Sequence, residues 1–330
     1  MADQRVVFHC QTLTATFLHG ADCGKNPELR APSFKGLARY WFRALAACPD
    51  AQKLFAAEAA VFGGARKAKG ASRRGVSFAL ENDRARTGTP FLLPHKEPLR
   101  GRSSTPGIVP DVQFRLRLAP FGLPGSKDGR EALEVAAASL WVALHLGGVG
   151  QRSRRGAGHV RLRGKPHGWE PPPLDRTSPE AYARTLGAAV RTLQGKVQKW
   201  CARYGCTSGK GEVGHPSLAN GARVQVRPIG GRNADEQGVR AQLMRGLRDH
   251  KSPAMGLPYM KRVVARGDQS VGGRHASPVW LTVDRLEDGR WVLVETFLPP
   301  LPRHSKISDT QRDRVIRYLD RGDKCHRAWP

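Results

Sequence analysis

The sequence predicts an α+β protein with two domains, and three observations carry this prediction. The chain has 330 residues, about twice the size of a typical single domain. Segments with the two-residue alternation of strands are interleaved with segments that show the 3.6-residue period of amphipathic helices. Residues 165–178 contain four prolines, which neither continue helices nor join central strands. We therefore expect an N-terminal domain over residues 1–165 and a C-terminal domain over residues 166–330.

The first half has the order strand, helix, strand, strand, helix, strand. Its strands alternate apolar and polar side chains, as in Phe114 and Leu116 against Arg115 and Arg117. The first helix is expected to begin at an N-cap serine, Ser33, and the second to end at two glycines. The elements are predicted at residues 6–17, 34–45, 76–80, 112–118, 131–146 and 159–163. This order is that of a ferredoxin-like fold, whose open sheet also serves many RNA-binding modules.

The second half is predicted to contain elements of the same kinds. Its clearest helix has Ser178 as N-cap and Pro179 in its first turn. The dipeptide Asp288-Gly289 is a typical hairpin turn between two strands. The helices are predicted at residues 180–204, 235–248 and 308–320, and the hairpin strands at residues 279–284 and 290–296. Two α+β domains fit this order, the first of them ferredoxin-like (RRM-like), with long basic loop insertions such as residues 82–110.

The charge of the chain indicates a polyanionic partner. Lys and Arg number 55 against 28 Asp and Glu, which gives a net charge of +27 and a pI of about 10.8. Hydrophobic residues make up 39% of the chain, which suits a folded protein rather than a disordered one. No apolar run approaches the ~20 residues of a membrane span, and the N-terminus lacks a secretory pattern. We expect a cytoplasmic protein whose partner is nucleic acid and not a membrane.

The six cysteines are scattered along a chain that is long enough to build a core without a disulfide framework. Cys201 and Cys206 are the closest pair, and a zinc site there would need His215, Cys325 and His326 to complete it. Their spacing does not match the usual paired zinc-ligand motifs. We expect free thiols, and we predict no metal site, no cofactor and no catalytic residue.

Residues 146–162, LGGVGQRSRRGAGHVRL, form a segment that we call the glycine–arginine loop. Its glycines let the backbone approach a ligand closely, and its arginines can reach phosphates. A dinucleotide-binding turn would follow a strand, whereas this segment follows a predicted helix. The candidate RNA contacts are Gly148, Gly150, Arg152, Arg154, Arg155 and Gly158. We expect reversal of Arg154 and Arg155 to Glu to weaken RNA binding without unfolding the chain. An ordinary glycine-rich turn with solvated charges remains the alternative.

The first predicted helix carries a basic face. Lys35, Arg39 and Arg43 recur at four-residue spacing, opposite its apolar side. Arg39 and Arg43 are separated by about 6 Å of helix rise, which is similar to the spacing of successive phosphates in a nucleic acid. We predict that these three residues contact RNA, with a solvated basic face as the alternative. Trp41 lies on the apolar side, and we expect it in the core.

Five segments, spread in order over about residues 10–285, form a recognisable set. They are residues 30–45 (RAPSFKGLARYWFRAL), 62–64 (FGG), the glycine–arginine loop, 256–258 (GLP) and 274–278 (RHASP). This set resembles the RAMP superfamily of CRISPR systems, and within it the first subunit of the Cmr-type (type III-B) effector complexes. The resemblance implies two ferredoxin-like domains and a non-catalytic, RNA-binding role in antiviral defence. The implied partners are guide RNA near its 3′ end, the paired target RNA, and other RAMP subunits of the complex.

Two other functions fit the composition. RAMP relatives that process guide RNA use a histidine as general acid or base without metal, and His9, His19 and Asp22 lie near the first strand-to-helix turn. That endoribonuclease alternative predicts discrete cleavage products that are lost in His19→Ala. The other alternative is a stand-alone basic scaffold, which would bind duplex DNA and single-stranded RNA equally well and have no stable protein partners.

Overall fold

The computed structural model describes most of the chain and shows two four-stranded antiparallel sheets with six helices among the described residues. The described residues are 4–20, 26–64, 75–81, 85–92, 105–121, 126–207, 213–219, 221–231, 233–248, 277–299, 309–321 and 325–329. The GLP segment at 256–258, most of the RHASP segment, Asp22, and residues 93–104 of the basic insertion lie outside them. In the insertion, Thr87–Gly88 (β3) pairs with Gly107–Ile108 (β4).

The first sheet has the strand order of a ferredoxin-like fold. Its strands are Val6–Thr12 (β1), Gly75–Glu81 (β2), Gln113–Phe121 (β5) and Val160–Leu162 (β6), in the order β2-β5-β1-β6. Its helices are Ala31–Ala46 (α1), Ala51–Phe62 (α2) and Lys127–Leu146 (α3). The inward side chains of β1 and β5, among them Phe8 and Leu116, are buried, and their neighbours in the chain point to the opposite face. The helices pack on the inward side, as the contact between the Phe34 and Phe114 rings shows.

The second sheet repeats this order. Its strands are Arg223–Pro228 (β7), Val279–Arg285 (β8), Trp291–Phe297 (β9) and His326–Trp329 (β10), in the order β10-β7-β9-β8. Two helices, Glu236–Arg248 (α5) and Asp309–Leu319 (α6), connect the strands. Each sheet therefore has β-α-β-β-α-β connectivity, which the elements of the first half predicted and which the family resemblance implied for the second half, and the α+β prediction is confirmed.

The helix Pro179–Ala202 (α4) joins the two sheets. It is buried along one side against β7 and β10 of the second sheet and against α1 and α3 of the first. One continuous core contains Trp41 of α1, Leu140 of α3, Leu186 of α4 and Val294 of β9. A second core, with Leu281 at its centre, lies between the other face of the second sheet and the helices α5 and α6. The first core contains residues from both sides of residue 165, so it does not divide the chain at this point. The predicted domain boundary at 165/166 stays a prediction.

Several local predictions differ from the structure. Helix α1 begins at Ala31, and Ser33 lies inside its first turn, because Pro32 already supplies the fixed φ that suits a helix start. The first strand ends at Thr12 instead of residue 17. The sequence reasoning missed α2, β7 and β10. Trp41 is fully buried, as expected.

The expectation of free thiols is wrong for two cysteines. Cys48, after α1, and Cys206, after α4, form a disulfide bond across 158 residues of sequence. Cys201 is buried as a free thiol, and burial raises its pKa to about 12. The described residues contain no group of three or more His, Cys, Asp or Glu side chains that is placed to hold a metal ion. Across the same part of the chain, no helix is both long and apolar enough to cross a bilayer.

Candidate nucleic-acid interface

The basic face of α1 is built around one buried carboxylate. Arg39 Nε lies 2.5 Å from Glu58 Oε1, and Arg43 Nη1 lies 2.9 Å from Glu58 Oε2. Glu58 is buried on α2, whereas the two arginine side chains are 33% and 39% exposed. Two guanidinium groups therefore share one negative charge, which fixes their positions and leaves a surplus positive charge at the surface.

Lys35 extends this face by one turn towards the helix start. Burial and the neighbouring charge of Arg39 lower the pKa of Lys35 from its ordinary value. Gly36, beside it, is exposed, and outside its own helical turn no described residue has an atom within 4 Å of the position that a Cβ would take. The face thus offers a cation beside an uncrowded stretch of helix surface, where a phosphate backbone has room to approach.

The glycines of the glycine–arginine loop allow backbone segments of the protein itself to pack closely. Gly150 has a φ of +85°, and an added Cβ would lie 2.5 Å from the carbonyl oxygen of Phe17. Gly158 has a φ of +70°, and an added Cβ would overlap the carbonyl oxygen of Val149. Gly148 faces His159 in the same way. These contacts explain the glycines without a ligand, so their role as RNA contacts stays a prediction.

The three arginines of the loop occupy different environments. Arg152 is half-buried at a left-handed φ of 59°, and burial lowers its pKa. Arg155 is 7% exposed, donates to the carbonyl oxygen of Val279 at 3.5 Å, and has its pKa lowered by burial to about 10. Arg155 is therefore held against β8, away from the surface. A glutamate there would be a buried, unpaired charge, which argues against an intact fold in the reversed pair. That expectation stays a prediction.

Arg154 connects the loop to α1. Its guanidinium lies 4.3 Å from the centre of the Trp280 ring and 5.4 Å from that of Tyr40, and it donates to the carbonyl oxygen of Ser277. Trp280 Nε1 donates to the Tyr40 hydroxyl at 3.3 Å, and its ring also packs against Trp41. The glycine–arginine loop and helix α1 therefore come together through Arg154 and the rings of Tyr40, Trp41 and Trp280.

His9 and His19, two of the residues considered for catalysis, have different surroundings. His19 Nε2 lies 2.9 Å from the carbonyl oxygen of Pro106, a contact that orients the ring. His9 is exposed on β1, on the face of the first sheet that the helices do not cover. Two deeply buried histidines, His145 and His159, have their pKa values lowered by burial to about 4, and they are neutral near pH 7.

Sequence reasoning missed three residues of this region. Glu58 lies on the missed helix α2, and a lone acidic residue in an alanine-rich segment gives no signal of its own. Tyr40 and Trp280 are 240 residues apart in the chain, and only the packing of the two halves brings them together. The basic residues Arg115 and Arg117 were visible as the polar side of a strand, but their position on an open sheet face needed the fold.

Comparison with known proteins agrees with this architecture. Residues 9–161 match the RAMP superfamily. The Cmr1-1 subunit of the CRISPR system Cmr from Pyrococcus furiosus is 31% identical over 172 residues, which cover 47% of this chain and 46% of that protein. The Cmr1-2 subunit from the same organism is 28% identical over 180 residues, which cover 48% of this chain and 94% of that protein. The matched region thus spans about half the length of the first of these relatives.

Solved structures extend the likeness to the whole chain. The apo crystal structure of Cmr1 from Pyrococcus furiosus superposes with a TM-score of 0.60 at 22% identity, over 98% of each chain. A chain from the cryo-EM structure of the type III-B Cmr-beta bound to cognate target RNA superposes with a TM-score of 0.54 at 12% identity, over 96% of this chain and 98% of that one. At these identities the likeness shows a shared fold.

Residues 9–161, slightly less than half of the chain, are therefore similar to the RAMP superfamily. About half of the chain is similar in sequence to the Cmr1 subunits of Pyrococcus furiosus, in agreement with the resemblance seen in the sequence.

Proposed function

We propose that this chain is a non-catalytic RNA-binding subunit of a type III-B CRISPR ribonucleoprotein effector complex. In this role it contacts guide RNA near its 3′ end, the paired target RNA, or both, and it docks on other RAMP subunits. The observation that carries the proposal is its fold likeness, over 96% of the chain, to a chain of a type III-B complex bound to target RNA. The net charge of +27 supports the same class of ligand.

The chemistry of the interface suits a phosphate backbone more than a particular base. Arg39 and Arg43 are held by Glu58 with their guanidinium groups partly exposed, so they are positioned before RNA arrives. Arg154 lies on the ring of Trp280, where little conformational freedom is left to lose on binding. Binding of this kind tolerates many sequences and weakens steeply with salt.

The proposal is tested with Lys35→Gln combined with Arg39→Gln in the full chain. This pair removes two cations from α1 and leaves Arg43 on Glu58, so the buried carboxylate stays paired. Affinity for a labelled 20-nucleotide single-stranded RNA is expected to fall about tenfold or more at 100 mM salt, with a shallower salt dependence.

A matched control variant has the same net charge as the Lys35→Gln, Arg39→Gln variant. Arg184→Gln with Arg245→Gln removes the same charge from exposed positions on α4 and α5, and it is expected to change affinity by less than threefold. Equal losses of RNA affinity in the two double variants would show that the α1 face contributes only through the net charge of the chain. That result would contradict the proposal.

Partnership with other subunits is tested by purification from the native host, with sequencing of the RNA that accompanies the chain. Repeat-derived guide RNAs together with several RAMP proteins are the expected result. A solitary chain that carries mixed nucleic acid would instead support the basic-scaffold alternative.

The endoribonuclease alternative is tested with the chain purified without partners. It predicts that the isolated chain cuts a repeat-containing RNA into discrete products without added metal, and that His19→Ala abolishes the cutting. The proposed function predicts that the RNA stays intact with wild-type chain. Discrete metal-independent products from the wild type would overturn it.

A further inference from the structure

Among the described residues, one face of the first sheet carries no helix, and this face is polar and basic. We refer to it as the open face, and the strand register places the side chains of β5, β1 and the segment after β6 in rows across it. One row consists of Glu81, Arg115 and His9, with Arg163 beyond them, since the Arg163 amide donates to the His9 carbonyl at 2.8 Å. In the next row, Arg117 lies opposite Val7.

The positive charge of the open face exceeds its negative charge. Arg115 Nε and Arg117 Nε lie 3.7 Å and 2.7 Å from the same carboxylate, that of Glu81. Among the described residues, no acidic side chain pairs with Arg163. One carboxylate therefore serves two arginines, and a third arginine is left for an anionic ligand.

The face also has a depression of suitable size. A cavity of about 620 Å³ is lined by His9, Gln113, Arg115, Arg163 and Gly164, together with Cys10 and Phe114. A volume of this order is in the range of small-ligand pockets and accommodates a nucleotide. Its walls present two guanidinium groups, an imidazole and an amide, which are donors for phosphate and for base edges.

An exposed aromatic ring continues the face along β5. Phe121 is 59% exposed and shares its side of the strand with Arg115 and Arg117. Six residues of strand separate Arg115 from Phe121, about 20 Å, which a few nucleotides of single-stranded RNA can span. Exposed aromatic rings on a basic sheet are the usual stacking platforms for unpaired bases.

We propose that the open face binds a segment of single-stranded RNA, with phosphate held between Arg115 and Arg163 and a base stacked on Phe121. The inference rests on the proposed RNA-binding function and adds a second surface to it. Helix α1 packs on the opposite side of the same sheet. The two surfaces therefore contact different stretches of RNA, and their contributions to affinity are expected to be independent.

The test is Arg115→Gln with Arg163→Gln in the full chain, which leaves Glu81 paired with Arg117. Affinity for the labelled 20-nucleotide single-stranded RNA is expected to fall about 10-fold, and the slope of log affinity against log salt to decrease by about 1.4, as for two lost phosphate contacts. The control pair Arg184→Gln with Arg245→Gln is expected to change affinity by less than threefold.

A second variant tests stacking independently of charge. Phe121→Ala is expected to weaken binding of the single-stranded RNA about fivefold and to leave binding of duplex RNA of the same sequence unchanged. Phe55→Ala, at the other large exposed aromatic residue of the described chain, is the matched control and is expected to have no effect.

The outcomes separate this inference from the proposed function. If Lys35→Gln with Arg39→Gln weakens binding while the open-face pair matches its control, the inference is overturned and the proposed function stands. If the wild-type chain binds no RNA, both fail. Equal losses for single-stranded and duplex RNA in Phe121→Ala would overturn the stacking assignment, and loss of subunit assembly without loss of RNA affinity would assign the face to a protein partner instead.

Discussion

The two sheets have the same strand order, but their surroundings are opposite. The first sheet has helices on one face and an open face that carries arginines on the other. The second sheet is covered on both faces, by α5 and α6 on one side and by the α4 layer on the other, so that all seven residues of β9 are buried. Of the two sheets, the first therefore leaves one face accessible to a ligand in the described part of the chain, whereas helices occupy both faces of the second.

A buried charge cluster lies where the covered sheet meets β6 of the first sheet. Asp284 on β8 accepts from Arg176 Nε at 3.1 Å and from the Tyr182 hydroxyl at 2.9 Å, and Arg161 of β6 lies 3.8 Å away. Burial alone would raise the pKa of Asp284, but the charges of Arg176 and Arg161 hold it below its ordinary value. The carboxylate is therefore ionised at neutral pH and links the two halves of the molecule.

The largest expected effect follows from removing that carboxylate. Asp284→Ala leaves the arginine charge buried without its partner, and we expect a loss of about 3–5 kcal/mol in the free energy of unfolding, measured by urea denaturation. Asp288→Ala, in the exposed turn of the same hairpin, is the control and is expected to cost about 1 kcal/mol or less. A similar cost for the two variants would show that the covered sheet does not depend on the cluster.

The next effect concerns the backbone packing of the glycine–arginine loop. Gly158→Ala adds a Cβ that overlaps the Val149 carbonyl at a positive φ, and we expect a loss of about 3 kcal/mol. Gly164→Ala is the matched control, because Gly164 also has a positive φ, +76°, but no group within 4 Å. It is expected to cost about 1 kcal/mol. Equal melting temperatures for the two variants would contradict the packing role of Gly158.

A smaller effect is expected from pH. Burial lowers the pKa of His145 and of His159 to about 4, whereas an unfolded histidine titrates near 6.5. The unfolded chain therefore binds more protons between these values, and stability falls as the pH is lowered from about 6.5 towards 4, by about 1.4 kcal/mol per pH unit for each histidine. Unfolding followed from pH 7 to pH 4.5 checks this slope. His159→Gln should make it shallower, and an unchanged slope would rule out His159 as a source.

The smallest expected effect is that of a substitution at Glu58. It distinguishes the positioning of Arg39 and Arg43 from their charge as the source of RNA affinity. Glu58→Gln removes the carboxylate between Arg39 and Arg43 and adds one net positive charge to the face. We expect affinity for single-stranded RNA to rise about threefold at low salt while the melting temperature falls. A loss of RNA affinity would show instead that the fixed geometry of the two arginines matters more than their charge.

The sequence was sufficient to predict the order of strands and helices in the first half and part of the surface. The alternation of β5 between apolar and basic residues indicates a strand with one open face, and the uniformly apolar start of β9, WVLV, indicates one that is covered on both sides. Helix α4 could be predicted because Ser178 and Pro179 give a clear start signal. Helix α2 was missed because its alanine-rich sequence has little amphipathic contrast.

The site was harder to predict than the fold, because charge pairing is a property of three-dimensional contacts. Arg154 and Arg155 are adjacent in sequence, yet one lies on the Trp280 ring and the other is buried against β8. Nothing in the local pattern distinguishes them. Likewise, the glycines of the loop fit equally well with a bound phosphate and with a neighbouring backbone, and in the structure the neighbouring backbone fills that space.

The most direct measurement is photocrosslinking of the full chain to single-stranded RNA that contains 4-thiouridine, with the crosslinked peptides mapped by mass spectrometry. The account predicts crosslinks on α1 and on the open face, at residues 113–121 and 163–164, and none on β9. Crosslinks confined to the second domain, with none on the first sheet or α1, would contradict it.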